Sequence, residues 1–325
     1  MQTQKTARRS ILKGLLAAAA VPGAARAQSA NRPLRIVVPY PPGGTQDAMM
    51  RVIQEPLGRL LAQPIVVENR AGAAGMIGSH EVRQASADGN TLLLFNNGMV
   101  ITPLVQRGAS IDFAKDFASV TTLAEAPLVI FGHASLPAND IRELIALAKA
   151  KPRTLNFGST GLGGLGHLTM AAFERKAGIE LSHVPYKGNA PLMLALIGGE
   201  VPLAIGTVSD ATLQSMQAGR IKALAVTSRA ASQALPGIAP ISDTVGPFGI
   251  SATYAFLAPS ATSADAVQRL REAIVKVMDL PDIRQRYLSY GNVVRTSTPK
   301  ELNDLILNEA SEWKSVIQSA GIRVE

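Results

Sequence analysis

A chain of 325 residues, 47% of them hydrophobic, is long enough to bury a sizeable core and to divide it between two domains. It contains no cysteine, which excludes disulfides, thiolate metal sites and cysteine nucleophiles. Its 32 bases exceed its 24 acids, but aromatics make up only 4% and no basic cluster is interleaved with them, which argues against a nucleic-acid partner.

Much of the positive charge sits at the start. Residues 1–30 contain Lys5, Arg8, Arg9, Lys13 and Arg26 and no acid. Arg8-Arg9 precede an apolar run from Leu15 to Val21, and Ala25-Arg26-Ala27 is a small-x-small cleavage site. The run is too short to span the roughly 30 Å of membrane hydrocarbon. The pattern is that of a twin-arginine export signal over residues 1–27, cleaved near Ala27 to give a periplasmic protein. The plainer alternative is an amphipathic N-terminal helix. Removing those five bases from the 32 leaves 27 against 24 acids, a net charge of +3. No later stretch reaches the roughly 20 apolar residues that a membrane helix requires.

The first strand is Leu34 to Val38, a β-branched apolar run stopped by Pro39, Pro41 and Pro42. Tyr40, Gly43 and Gly44 follow, then Thr45, Gln46 and Asp47 at the start of a helix reaching Leu61, in which Pro56 should cause a kink or a shortening. A strand feeding a glycine turn and a helix N-terminus aims free N–H groups and a partial positive charge at one point, which suits a carboxylate or phosphate. An ordinary strand-to-helix turn has the same outline. Ile65 to Val67 is the next strand, followed by a glycine-rich turn over Ala71 to Gly78 that includes Ala74, a helix through Glu81 to Ala85, and a strand over Thr91 to Phe95. This alternation predicts a parallel α/β sheet.

The rhythm restarts near Ala126. Strand Pro127 to Phe131, helix Ala138 to Ala150 and strand Leu155 to Phe157 lead to a second glycine turn, Gly158 to Leu168, with Ser159, Thr160, Gly161, Gly163 and His167 within it. Helix Thr169 to Ala177, strand Leu181 to Val184, the Pro185-Tyr186 end, helix Ala190 to Ile197 and strand Val201 to Ile205 complete a second sheet. Strand Ala223 to Thr227 and the Pro/Gly-rich segment Leu235 to Gly249 lead back, and helices Ala264 to Met278 and Pro299 to Ala320 close the chain. The expected crossings lie near Thr122 to Pro127 and Gly246 to Tyr254. They give one lobe of residues 31–124 with 252–325 and a second of residues 125–251.

Gly161, Gly163 and Gly166 match G-x-G-x-x-G, but the acid expected about 20 residues on is replaced by Pro185, Tyr186 and Lys187. What remains is a backbone cradle for an anion. The four histidines, His80, His133, His167 and His183, show no paired i, i+4 spacing for zinc. Ser159 lacks the first glycine of a nucleophile elbow. His167 either lines a site or bonds a loop carbonyl, while His183 within a strand reads as structural. Asp47 beside a bound anion would repel it, so its role is capping the helix or fixing a water. Tyr186 either faces a cleft or covers a sheet edge.

The segments VVPYPPGGTQDAMMRVIQEPL, QPIVVENRAGAAGMIG, LNFGSTGLGGLGHL and HVPYKGNAPLMLALIGGEVPLAI, with DGNTLLLF and GRIKALAVTS, resemble the Bug-type, TctC-like receptors of tripartite tricarboxylate transporters. The resemblance runs in order from about Arg35 to the C-terminus. It implies a two-lobed periplasmic binding protein of type II topology, a Venus flytrap with each lobe a sheet flanked by helices. It implies a solute-binding role without catalysis or cofactor, a small carboxylate ligand, integral membrane permease subunits as partners and a monomer. Carried over, the ligand loops are Tyr40 to Asp47 and Gly158 to His167. Departures fall at Gln46, at Gly206-Thr207 where the family often has Asp-Asn, and at Thr253-Tyr254 where it often has an aromatic at the first position. A periplasmic ligand sensor and an exported α/β hydrolase are the alternative readings.

Overall fold

The computed structural model describes residues 32–105 and 110–320; the export signal expected over residues 1–27 lies outside them. Two mixed sheets, each flanked by helices, form two lobes.

The first sheet has strand order β11-β4-β10-β3-β1-β2. Its strands are β1 (Leu34–Val38), β2 (Ile65–Asn69), β3 (Thr91–Asn96), β4 (Phe117–Pro127), β10 (Ser251–Pro259) and β11 (Val293–Val294). β1 pairs in parallel with β2 and β3, whereas β10 runs antiparallel to both β3 and β4. The sheet is therefore mixed rather than wholly parallel. β1 is buried on both faces: Leu34, Ile36 and Val38 join one core cluster and Val37 another. That is why it reads as a continuous apolar run rather than an alternating one. Helices α1 (Thr45–Leu61) and α9 (Ala264–Met278) cover the first face with Met49, Ile53, Leu57, Leu270 and Ile274. Helices α2 (Met76–Arg83), α3 (Gly98–Val105) and α11 (Pro299–Ala320) contribute Met76, Met99, Leu302 and Ile306 to the second.

The second sheet has order β7-β6-β8-β5-β9. Its strands are β5 (Val129–His133), β6 (Asn156–Ser159), β7 (Ser182–Pro185), β8 (Leu203–Gly206) and β9 (Ile221–Val226). It packs against α4 (Ile141–Ala150), α5 (Leu165–Ala177) and α6 (Asn189–Ile197) through Leu144, Leu168, Phe173, Leu192 and Leu196. Short helices α7 (Asp210–Gln217), α8 (Ser242–Val245) and α10 (Pro281–Ser289) fill the connections.

Several expected elements differ. Pro56 does not shorten α1, which runs for 17 residues; burial of Met49, Met50, Ile53 and Leu57 outweighs the one lost hydrogen bond. The helix expected from Glu81 begins at Met76, after a 3-10 turn at Ala73–Gly75. The helix expected from Thr169 begins at Leu165. In both helices a glycine of the expected turn lies inside the helix and marks a close approach: a Cβ at Gly78 would lie 3.1 Å from Pro39 Cβ, and one at Gly166 would lie 3.2 Å from Ile205 Cγ2. The chain passes from the first sheet to the second at Leu128, between β4 and β5, and returns at Ile250. No helix among the described residues is long and apolar enough to cross a membrane.

Candidate functional site

The two glycine turns end in matching geometry on opposite walls of one cleft. Gly43, at φ +81°, turns the chain so that Gly44 becomes the N-cap of α1 in an extended conformation (φ −83°, ψ 173°). Gly161 and Gly163 do the same for Gly164, the N-cap of α5 (φ −78°, ψ 170°). Neither helix start has a side-chain cap. Gly44, Thr45 and Gln46 line the cleft from one lobe, and Gly164, Leu165 and Gly166 line it from the other. First-turn N–H groups have no intrahelical partner, so two helix N-termini face the same space with polar donors and partial positive charge.

The remaining walls are uncharged and mix apolar side chains such as Ala74, Leu128, Ile205 and Ala252 with a few polar ones. Tyr40 and Asn96 stand together, with Asn96 Nδ2 donating to the Tyr40 hydroxyl at 3.1 Å. Burial raises the Tyr40 pKa, and the Asn96 bond opposes that shift. Tyr254, from β10, is also pushed well up by burial and sits beside Thr207 and Tyr40. No charged side chain lines the cleft among the described residues.

The lobes are closed on one another. Thr45 Oγ1 lies 2.8 Å from Thr207 Oγ1 and donates to the Val208 carbonyl at 3.1 Å. Asn189 Nδ2 donates to the Thr207 carbonyl at 3.0 Å and reaches Thr45 Oγ1 at 3.5 Å. Glycine allows the backbones to meet: a Cβ at Gly98 would lie 2.9 Å from Leu165 Cβ, and one at Gly163 would lie 2.4 Å from Val105 Cγ2.

Of the residues expected in the site, Tyr40, Gly44, Thr45, Gln46, Ala74, Thr160 and Thr207 line this cleft. The others stand behind it. Pro42 and Gly43 are exposed, and the Gly43 N–H donates to Asp47 Oδ2 at 3.1 Å, which also accepts from Arg51 Nε at 2.9 Å. Asp47 thus braces the turn. Ser159 is fully buried and donates to the Gly161 carbonyl. It also shares a 2.7 Å hydrogen bond with His183 Nε2. The Gly163 N–H is used by His167 Nδ1 at 3.1 Å, so it is Gly164, the N-cap of α5, rather than Gly163 that faces the cleft. His167 and His183 stack with ring centroids 3.9 Å apart, and Phe157 packs on His183 at 5.0 Å. Burial lowers both histidine pKa values, and with the added influence of His167 that of His183 falls to about 3. Gly158 packs against the Tyr186 ring, whose hydroxyl donates to Glu200 at 2.9 Å.

Asn96, Gly98, Leu128, Asn189, Ala252 and Tyr254 also line the cleft and were not expected there. Two signals were available: Asn96-Asn97-Gly98 closes an apolar strand as the other glycine turns do, and Gly188-Asn189 opens a helix.

Two sheet-and-helix lobes closing on a cleft between helix N-termini define a periplasmic-binding-protein architecture. Residues 49–322 match the tripartite tricarboxylate transporter family receptor, and the chain belongs to this family. It is 30% identical to BugT of Bordetella pertussis over 297 residues, covering 90% of this chain and 91% of that one. It is similar to the solved structure of R. palustris Rpa4515 with adipate, at 30% identity and TM-score 0.86, covering 90% of this chain and 98% of that one. It is also similar to MatC from Rhodopseudomonas palustris with bound malate, at 25% identity and TM-score 0.82, covering 88% and 99%. The chain is a solute-binding receptor of the tricarboxylate-transporter type, not an enzyme.

Proposed function

We propose that the cleft captures a small di- or tricarboxylate and that the closed form is what the membrane permease subunits recognise. The observation that carries this reading is the pair of uncapped helix starts at Gly44 and Gly164, facing one space that no charged side chain lines. A carboxylate there accepts N–H bonds worth roughly 1.5–3 kcal/mol each. Three or four such bonds, less the cost of closure and lost freedom, give about −8 kcal/mol, a micromolar affinity. No arginine is needed. The adipate and malate bound by the two similar receptors belong to this ligand class.

The hinge proposed lies at Leu128 and Ile250, which moves the expected lobe boundaries by a few residues: β4 carries the first lobe to Pro127 and β10 rejoins it at Ser251, leaving 129–249 as the second. The receptor acts as a monomer, exported by Arg8-Arg9 and cleaved near Ala27. A thermal-shift screen of di- and tricarboxylates followed by calorimetry tests the binding claim; no shift with any of them overturns it. Intact-mass measurement on periplasmic protein tests cleavage, and retention of residues 1–27 refutes it.

A further inference from the structure

Four consecutive residues in the turn before α2 have positive φ: Gly72 at +135°, Ala73 at +46°, Ala74 at +51° and Gly75 at +95°. Only glycine adopts this region without cost, because a Cβ crowds the neighbouring backbone there. Glycine stands at 72 and 75, yet both residues between them carry a methyl group. Ala73 is exposed, whereas Ala74 lines the cleft. A Cβ at Gly161 would lie 3.8 Å from Ala74 Cβ, so the turn reaches the opposite lobe.

A strained backbone persists only where its surroundings hold it. Inside the turn, the Gly75 N–H donates to the Gly72 carbonyl at 3.0 Å, and Ser79 Oγ donates to the Gly75 carbonyl at 2.9 Å. Outside it, four charges close a ring around the two ends of the turn. Arg70, the residue before Ala71, pairs with Glu68 at 2.9 Å and with Glu81 of α2 at 3.1 Å. Arg35 of β1 pairs with the same two carboxylates, Glu68 at 3.0 Å and Glu81. The hydrogen bond from Arg35 holds the Glu68 carboxyl below its usual range, against the opposing effect of burial. An isolated surface pair contributes little. Here each charge has two partners of opposite sign, and Arg35, Glu68 and Glu81 are each no more than 32% exposed. None of the four lines the cleft.

We propose that this ring of charges holds residues 72–75 in their left-handed form, which makes Arg70 and Glu81 positioning residues that set the cleft wall at Ala74 without touching the ligand.

The proposal rests on the carboxylate reading only for its probes, adipate and malate. Calorimetry with both acids, together with hydrogen exchange over residues 71–79, compares the wild type with Arg70→Met and Glu81→Gln. Each substitution should weaken binding about tenfold, equivalent to about 1.4 kcal/mol and the scale of one left-handed alanine. Each should also speed exchange in the turn. Ala73→Gly, which removes strain at an exposed residue, should restore most of both losses when added to Arg70→Met. On its own it should leave the melting temperature no lower than that of the wild type, although glycine ordinarily destabilises a fold. A ring that merely stabilised the fold would lower the melting temperature and leave affinity alone. Affinity within about twofold of wild type, unchanged exchange, or a loss that Ala73→Gly does not restore overturns the proposal. Should neither acid bind the wild type, the carboxylate reading falls by itself, and exchange with its glycine rescue still decides whether the ring holds the turn.

Discussion

Thr45 and Thr207, 162 residues apart in the chain, meet through their hydroxyls at 2.8 Å and join the two lobes across the mouth of the cleft. Thr45 belongs to the first turn of α1 and Thr207 follows β8, so the contact exists only when the lobes are closed. It is one of few polar contacts between them at the site and should bias the equilibrium towards closure. Thr207→Val keeps the shape and removes the hydroxyl. The loss of one buried hydrogen bond is worth about 1 kcal/mol, so ligand affinity should fall roughly fivefold. Scattering on the ligand-free variant should give a larger radius of gyration than wild type. That readout does not involve ligand contacts, so an unchanged radius means the bridge does not govern closure.

The N-cap glycines give a sharper test, because stability and function should move in opposite directions. Gly44 and Gly164 both have negative φ, and a Cβ meets nothing nearer than 3.7 Å at the first and 3.4 Å at the second. Aspartate is among the best N-cap residues, so Gly44→Asp or Gly164→Asp should raise stability by a few tenths of a kcal/mol, about the measured difference between such caps and glycine. Its carboxylate would then occupy the N–H groups that the ligand needs and repel the ligand's charge. Binding should disappear while the melting temperature holds or rises. Alanine at either position should cost about 0.5–1 kcal/mol of stability and leave measurable binding. Gly163 is a poor probe: its φ is +70° and a Cβ would meet Val105 at 2.4 Å, so any side chain there disturbs the fold first. Tight carboxylate binding by both folded Asp variants would place the anion elsewhere.

How much of this was readable depends on which contacts are local. The β1-to-α1 turn was legible because strand, prolines, glycines and helix start are consecutive, and α9 and α11 because their apolar faces repeat over 15 and 22 residues. β4 and β10 were missed: Phe117–Pro127 mixes apolar, hydroxyl and acidic residues, and its partner Ser251–Pro259 lies more than a hundred residues away. Only tertiary pairing makes that segment a strand. Gly78 and Gly166 misled for the opposite reason, since their lack of a side chain serves helix packing rather than a turn. Within the site, Gly44, Thr45 and Gln46 were found from the motif, while Asn189 and Tyr254 arrive through folding from other elements.

One residue ties together the two crossings proposed as the hinge. Thr227 is fully buried and makes four bonds to the two crossing points. Its N–H donates to the Leu128 carbonyl and its carbonyl accepts from Ile250 N–H, both at 2.9 Å. Its hydroxyl accepts from Leu128 N–H at 3.1 Å and donates to the Ile250 carbonyl at 2.6 Å. Thr227→Val removes both hydroxyl bonds and leaves the Leu128 N–H unpaired in the interior. A stability loss of about 2 kcal/mol is expected in urea unfolding. A loss below about 0.5 kcal/mol, the scale of a neutral surface change, would show that the hydroxyl does not hold the hinge.

The stacked histidines make the second lobe sensitive to acid. His167 Nδ1 accepts from Gly163 N–H, and the His183 ring bonds Ser159, so both rings support the turn that presents Gly164 to the cleft. The unfolded rings have pKa values near 6.5. In the fold, burial lowers both, and His183 reaches about 3, with His167 contributing after burial. Between those values the unfolded chain binds protons that the native one does not. The native advantage is therefore complete above pH 6.5 and lost as pH falls towards 3, with a slope of up to about 1.4 kcal/mol per pH unit for each such proton. Protonation of His167 at Nδ1 would also remove the acceptor for Gly163 and loosen the α5 start, so affinity should decline with stability. Melting temperatures from pH 7.5 to 4.5, and calorimetry down to pH 5.5 where the ligand stays largely ionised, measure both. His183→Gln preserves a partner for Ser159 without a titrating ring, and its melting temperature should vary less with pH than that of wild type. An identical slope in the two proteins would assign the acid sensitivity to groups other than this pair.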